Sequence, residues 1–205
     1  MHHNQNFWEQ QHSINNVRSL SGCTYDATVD FLNVTDLIFS DMQVLEIGCG
    51  LGYVTQEFAK TAKISVVDIS NTALDRVRPW CEKIYHVNDI DTLPSDYFDL
   101  IICHNVVQHV PTDILQIELA NAIRSLKSTG TFAVEYVWNN DFEDNGVDYH
   151  PSMATAGRLC RSDKFMIELI TKLGGDCKIV RTHPVPKHKK IHGLTVLHVK
   201  KDQHV

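Results

Sequence analysis

From Met42 onward, short β-branched runs alternate with amphipathic helical stretches, and this alternation restricts the fold more than any other feature of the chain. "MQVLEIG" (42–48) is a continuous apolar run, the pattern of a strand buried on both faces. Residues 51–62 read as a helix with Val54, Phe58 and Ala62 on one stripe, and "KISVVDIS" (63–70) as a second strand. A short helix starts at Asn71 and breaks at Pro79. "KIYHV" (83–87) is a weaker strand, and "YFDLIICHN" (97–105) a strong fourth one. Pro111-Thr112-Asp113 opens a helix with Thr112 as N-cap and Leu115, Leu119, Ala122 and Ile123 at helical spacing. Gly130 ends the connection to a fifth strand, "TFAVEYVW" (131–138). Ser162 caps a last helix that Gly174-Gly175 stops. The segments "CKIVRT" (177–182) and "GLTVLHV" (193–199) are joined too closely for a helical crossover, so they pair antiparallel. The expected fold class is α/β, a three-layer α/β/α sandwich around a mostly parallel seven-stranded sheet with an antiparallel final strand.

A chain of 205 residues suits one domain, 1–205. Within it, 1–39 is expected to form a helical cover carrying Phe7, Trp8, Phe31, Leu32, Leu37 and Ile38. The core is 42–199, and the polar, irregular stretch 139–161 is expected to be a substrate lid. A net charge of −6 argues against a broad electrostatic grip on nucleic acid or anionic membrane, and "KHKK" (187–190) reads as a solvated turn. No apolar run is long enough to span a bilayer, and "MHHNQNFWEQQHS" lacks a signal-peptide core, so a cytoplasmic protein is expected. The six cysteines form no CxxC pair and the twelve histidines no HExxH, so no metal is expected.

"VLEIGCGLGYVT" (44–55) places three glycines at alternate positions directly after the first strand. Glycine lets main chain approach a ligand without a Cβ in the way, and the following helix offers free N–H groups. Dinucleotide enzymes use GxGxxG, whereas here the glycines are Gly48, Gly50 and Gly52, with a tyrosine at 53. Glu46, between Leu45 and Ile47 in a central strand, needs a partner to tolerate burial, either a ligand cation or the loop backbone. Asp68 is a charge directly after an apolar strand, about twenty residues beyond the loop, where nucleotide sites carry an acid.

The stretch "VLEIGCGLG" resembles the first motif of the class I S-adenosylmethionine-dependent methyltransferases, and further motifs follow in order across 42–199. The resemblance implies a Rossmann-like fold, S-adenosyl-L-methionine as cofactor, and a methionine portion held by Glu46, Gly48, Gly50 and Gly52. It also implies a ribose at Asp68 and Ile69, and an adenine amino group at Asp89 and Ile90 in "NDIDTLP" (88–94), with Asp91 as the competing acid. "FDLIICHNVVQHV" (98–110) is similar to the strand-four motif, placing the His104 backbone at the cofactor, and "LKSTGTFAVEY" (126–136) to that of strand five.

Methyl transfer is an in-line displacement in which the protein positions the nucleophile and removes its proton. Residues at strand carboxyl ends that can take the proton are His104, His109 and Glu135, with His109 preferred. Trp8, His12, Arg18, Tyr25, Tyr149, His150, Arg158 and Arg161 are expected on the acceptor side. Strand four ends "HNVV" rather than in the Asn/Asp-Pro-Pro-aromatic motif of amino-methylating nucleic-acid enzymes, and no Pro-Cys follows as in cytosine-C5 enzymes. "NND" (139–141) has no partner carboxylate after strand four that would complete a metal site. The expected function is methyl transfer to a small polar acceptor, such as a sugar or metabolite oxygen, without nucleic-acid or membrane partners. Methylation of RNA or protein, and a cofactor-binding module without turnover, are the alternatives.

Overall fold

The structure, a computed structural model, describes residues 5–13, 24–138, 148–149, 159–184 and 193–202. Helices α1 (Gln5–Ser13) and α2 (Tyr25–Phe31) precede strand β1 (Gln43–Ile47). There follow α3 (Tyr53–Phe58), β2 (Lys63–Asp68), α4 (Asn71–Val77), β3 (Lys83–His86) and β4 (Phe98–Cys103). Next come α5 (Thr112–Ser125), β5 (Leu126–Trp138), and the two-residue strands β6 (Asp148–Tyr149) and β7 (Leu159–Cys160). The chain continues through α6 (Asp163–Lys172), β8 (Gly175–Pro184) and β9 (Gly193–Lys201).

The main sheet has seven strands in the order β3-β2-β1-β4-β5-β9-β8. β1 to β5 pair in parallel, and β9 runs antiparallel between β5 and β8. The order reverses between β1 and β4, which makes their carboxyl ends the crevice where open α/β sheets take ligands. Alternate strand residues feed two cores. Leu45, Ile101 and Val134 pack with Leu119 of α5 and Met166 of α6 on one face. Val44, Val66 and Ile102 pack with Val29, Phe58 and Leu74 of α2, α3 and α4 on the other. This is the expected three-layer arrangement.

Three local expectations need correction. The helix read as 51–62 starts only at Tyr53, because Gly52 (φ 79°) sits in the left-handed region, which a right-handed helix cannot contain. Thr112 is not the N-cap of α5: Pro111 takes the extended cap position, and Thr112 is already inside the first turn. β5 begins at Leu126 rather than at Thr131. Gly130 lies so close to β4 that a Cβ there would stand 2.9 Å from the Phe98 carbonyl oxygen, and this approach carries the pairing back to Leu126. Ser162 caps α6 through a bond from the Phe165 N–H, and Gly174 (φ 83°) ends that helix, both as expected. Among the described residues no helix is long and apolar enough to cross a membrane.

Candidate active site

The loop after β1 is fixed by its own backbone. The Gly48 N–H donates to the Val67 carbonyl of β2 (2.7 Å), and the Gly52 N–H to that of Cys49 (2.9 Å). All three glycines take positive φ (81°, 50° and 79°). Their surroundings differ. A Cβ on Gly48 would stand 2.2 Å from a Val106 methyl, and one on Gly52 would stand 2.4 Å from a Val77 methyl. Those two glycines serve packing. At Gly50 a Cβ would meet only the His12 ring, 3.8 Å from Nε2, so this position is kept bare on a side that the described core leaves open.

Two acids flank the loop on adjacent strands. Asp68 is buried; one carboxylate oxygen accepts from the Gly50 N–H and the other from the Ser70 N–H, each at 2.9 Å. It therefore ties the glycine loop to the turn after β2. Glu46 accepts from the Thr55 hydroxyl of α3 at 2.5 Å. Burial drives the Glu46 carboxyl up to about 8, Asp68 adds to this, and the Thr55 bond opposes it. The partner present is a side chain of α3 rather than the loop backbone. Ile69 offers its carbonyl to the His86 ring (2.9 Å). After β3, Asp89 is exposed in a turn where its carbonyl accepts from the Thr92 hydroxyl, and Ile90 is buried beneath it. The competing Asp91 has its carbonyl held by Arg124 on the far side of that turn.

Beyond β4 the chain turns at Asn105 (φ 59°), whose N–H donates to Glu135 at 2.7 Å. Glu135 is completely buried on β5, so one of its oxygens fixes the main chain after β4. His104 stacks on Phe31 of α2 at 5.4 Å, and burial lowers its imidazole to about 4. It is neutral at neutral pH. His109 ends a one-turn 3-10 helix, Val107–His109, and its ring meets the edge of Trp8 at 5.0 Å. The buried Gln108 donates to the Asn105 side chain at 3.4 Å.

Helix α1 crosses this crevice. Trp8 touches both His109 and His12, Gln5 meets His86, and Glu9 accepts from the Ser70 hydroxyl and from the N–H groups of Asn71 and Thr72. His12 and Trp8 thus stand over the crevice. Tyr25 does not stand with them: it packs edge-on against Phe58 in the core under α2. Arg161 is also corrected as an acceptor-side residue. It is wholly buried, and its guanidinium donates to the carbonyls of Val107 (2.8 Å) and Val110 (2.6 Å), bracing the turn that carries His109. Burial lowers Arg161 to about 10 while Glu118 opposes the shift, so it keeps its charge at neutral pH. Arg18, His150, Arg158, the "KHKK" run and most of 139–161 lie outside the described residues, and of Tyr149 only the backbone strand is described. Sequence reading missed Glu9 and Thr55. The signal for Glu9 was the shared helical face of Gln5, Trp8, Glu9 and His12, at the three- and four-residue steps of one stripe.

Residues 44–130 match the family model of a methyltransferase domain. Over that segment the chain is similar to methyltransferase domains. No curated protein matches by sequence. Among solved structures, DhpI in complex with S-adenosylhomocysteine is 15% identical with a TM-score of 0.65, covering 98% of this chain and 96% of that one. The Burkholderia thailandensis 1,6-didemethyltoxoflavin-N1-methyltransferase, with its heterocycle and S-adenosylhomocysteine bound, is 18% identical with a TM-score of 0.67, covering 96% and 86%. A Haemonchus contortus phosphoethanolamine N-methyltransferase 2 in complex with S-adenosyl-L-methionine is 14% identical with a TM-score of 0.70, covering 96% of this chain and 56% of that one. At these identities the likeness is one of fold: the chain shares their Rossmann-like sheet and its crevice.

Proposed function

We propose that this protein is an S-adenosylmethionine-dependent methyltransferase that acts on a small polar acceptor, with a sugar or metabolite oxygen as the first candidate. The observation that carries the reading is the bare, positive-φ Gly50 beside the main-chain-bound Asp68, within a segment matching a methyltransferase domain. A ligand pressed against Gly50 meets main chain, and its hydroxyl donors find a carboxylate already oriented by two N–H bonds. The residues fit the cofactor. Gly48, Gly50 and Gly52 hold the loop along its methionine portion, Glu46 braces that loop through Thr55, Asp68 and Ile69 lie at the ribose, and Asp89 and Ile90 flank the adenine. When bound, the cofactor supplies an electrophilic methyl group.

The protein's own residues then orient the acceptor, exclude water and take its proton. Three groups are placed for the last task. His104 is neutral over the working range but is a weak base, since burial holds it near 4. His109 sits between the post-β4 turn and Trp8, with its position braced by Arg161. Glu135 is committed through one oxygen to the Asn105 N–H, which suits it to hold the turn. His109 is therefore the preferred base: an acceptor hydroxyl gives its proton to this ring as the carbon–oxygen bond forms.

A second reading has one observation in its favour. Trp8 and Phe31 put aromatic rings beside His109 and His104, surroundings that suit a planar nitrogen heterocycle as well as a sugar. The deciding experiment uses methyl-labelled cofactor against separate panels of sugars, heterocycles, RNA and protein. Label entering a sugar or metabolite oxygen supports the first reading and label entering a ring nitrogen the second. Label entering only RNA or protein overturns both. Calorimetry in which NAD binds and S-adenosylmethionine does not would remove the cofactor assignment.

A further inference from the structure

Helix α1 has nine residues, too few for an isolated helix to persist in water, so its order depends on what it touches. Its strongest anchor is Glu9. One carboxylate oxygen accepts from the Asn71 N–H at 2.7 Å, and the other from the Thr72 N–H at 3.1 Å and the Ser70 hydroxyl at 3.0 Å. Burial pushes this carboxyl up, but the bonds from Thr72, Asn71 and Ser70 outweigh it and hold it at about 2. The group is ionised at any working pH, and it sits on the turn that directly follows Asp68.

One helical turn further along α1, His12 faces the glycine loop. Only 8% of the residue is exposed, its Nε2 lies nearest the bare side of Gly50, and its Nδ1 has no hydrogen-bond partner among the described residues. Asp68, Glu9 and Arg76 are the charged groups that act on this ring, and Arg76 also holds the His12 carbonyl at 3.4 Å. Trp8 stacks on the ring from within α1 at 5.7 Å. The ring thus turns one nitrogen, Nε2, toward the glycine loop and keeps the other, Nδ1, buried and unsatisfied, an arrangement that a ligand over the loop would complete.

We propose that α1 is the outer wall of the cofactor site, with Glu9 as its positioning residue and His12 as the side chain that contacts bound cofactor across from Gly50. The inference rests on the cofactor assignment above and assigns two residues to that site. Glu9 acts through His12: it clamps the helix to the turn after β2, and the helix holds the ring over the loop. Cofactor enters and leaves when the clamp opens, and the closed helix slows its escape.

The test follows release of S-adenosylhomocysteine by displacement. Glu9→Ala should speed release about tenfold, the loss expected for hydrogen bonds to one half-buried charge, and Glu9→Gln, which keeps one acceptor oxygen, should fall between. His12→Ala should also speed release, and Glu9→Ala should add little in that background, because its effect passes through the ring. Release at the wild-type rate from Glu9→Ala, tighter binding in that variant, or full additivity with His12→Ala would each overturn the proposal. Hydrogen exchange on the ligand-free protein reads the clamp without cofactor: the Asn71 and Thr72 amides and α1 should exchange faster in Glu9→Ala, and unchanged exchange refutes the clamp. A wild type that binds no S-adenosylhomocysteine would overturn the cofactor assignment and the wall together, while the exchange measurement would still decide whether Glu9 holds the helix.

Discussion

The carboxyl ends of β1 and β2 and those of β4 and β5 are built by opposite means. At β1 and β2 the crevice is shaped chiefly by main-chain atoms of one short loop, which Asp68 holds at Gly50 across 18 residues. At β4 and β5 the stitches run from distant side chains to main chain: Glu135 reaches Asn105 across 30 residues, and Arg161 reaches Val107 across 54. The first half is specified locally and the second by tertiary pairing. A local loop keeps its shape while the rest of the molecule changes, so cofactor binding is the more robust property. The acceptor side depends on whether β5, β7 and the post-β4 turn are assembled together.

Mutations can break this contrast, and the largest effect belongs at the second half. Alanine at the true base among His104, His109 and Glu135 should lower turnover about 10²–10⁴-fold at saturating cofactor, with cofactor affinity near wild type. If His109 is that base, Glu135→Ala should cost stability as well as rate, because it orphans the Asn105 N–H. Single-turnover rates paired with denaturant midpoints separate the two cases.

Arg161→Ala comes next. It deprives the Val107 and Val110 carbonyls of a buried charged donor and should destabilise the fold by about 3–5 kcal/mol, read as a lower denaturant midpoint at unchanged slope. A change under about 1 kcal/mol would mean that the turn holds itself. Asp68→Ala should weaken cofactor binding by about 1.5–3 kcal/mol, tenfold to a hundredfold by calorimetry. Its effect on stability should be the smaller one, since Gly48 and Gly52 keep their own main-chain bonds. Unchanged affinity would remove the ribose from Asp68.

The last effect is a slope. The folded Glu46 carboxyl titrates near 8 against an ordinary 4.5, so between those values the native state holds a proton that the unfolded chain releases. Stability from this group is therefore full below about pH 4.5 and falls as pH rises towards 8. Glu46→Gln should flatten the decline by up to about 1.4 kcal/mol per pH unit in that window, measured by urea unfolding at a series of pH values. An unchanged profile would show that Glu46 is ionised beside Thr55 in the native state.

The same contrast explains what the sequence disclosed. The strand runs, the antiparallel pairing of β8 with β9, the glycine loop and the carboxyl at Asp68 are signals that lie within a few residues or repeat at a fixed period. Thr112 was misplaced because Pro111 and Thr112 both suit a helix start, and only the backbone angles decide between them. Arg161 read as an acceptor-side residue because nothing near it in sequence reveals the carbonyls of Val107 and Val110. Glu9 gave no sign of its partners, since the main-chain donors it satisfies, like all main-chain N–H groups, carry no residue-type signature. Side chains that act on distant backbone are the ones a sequence conceals.

The place of β9 has a consequence for how the protein is made. Synthesis delivers β1 to β5 in an order that lets each pair with a strand already present, but β8 appears before β9, the strand it pairs with among the described residues. Until β9 emerges and slides in beside β5, a ribosome-bound chain carries β8 with unpaired edges on both sides, and the far third of the sheet closes in one late step rather than strand by strand.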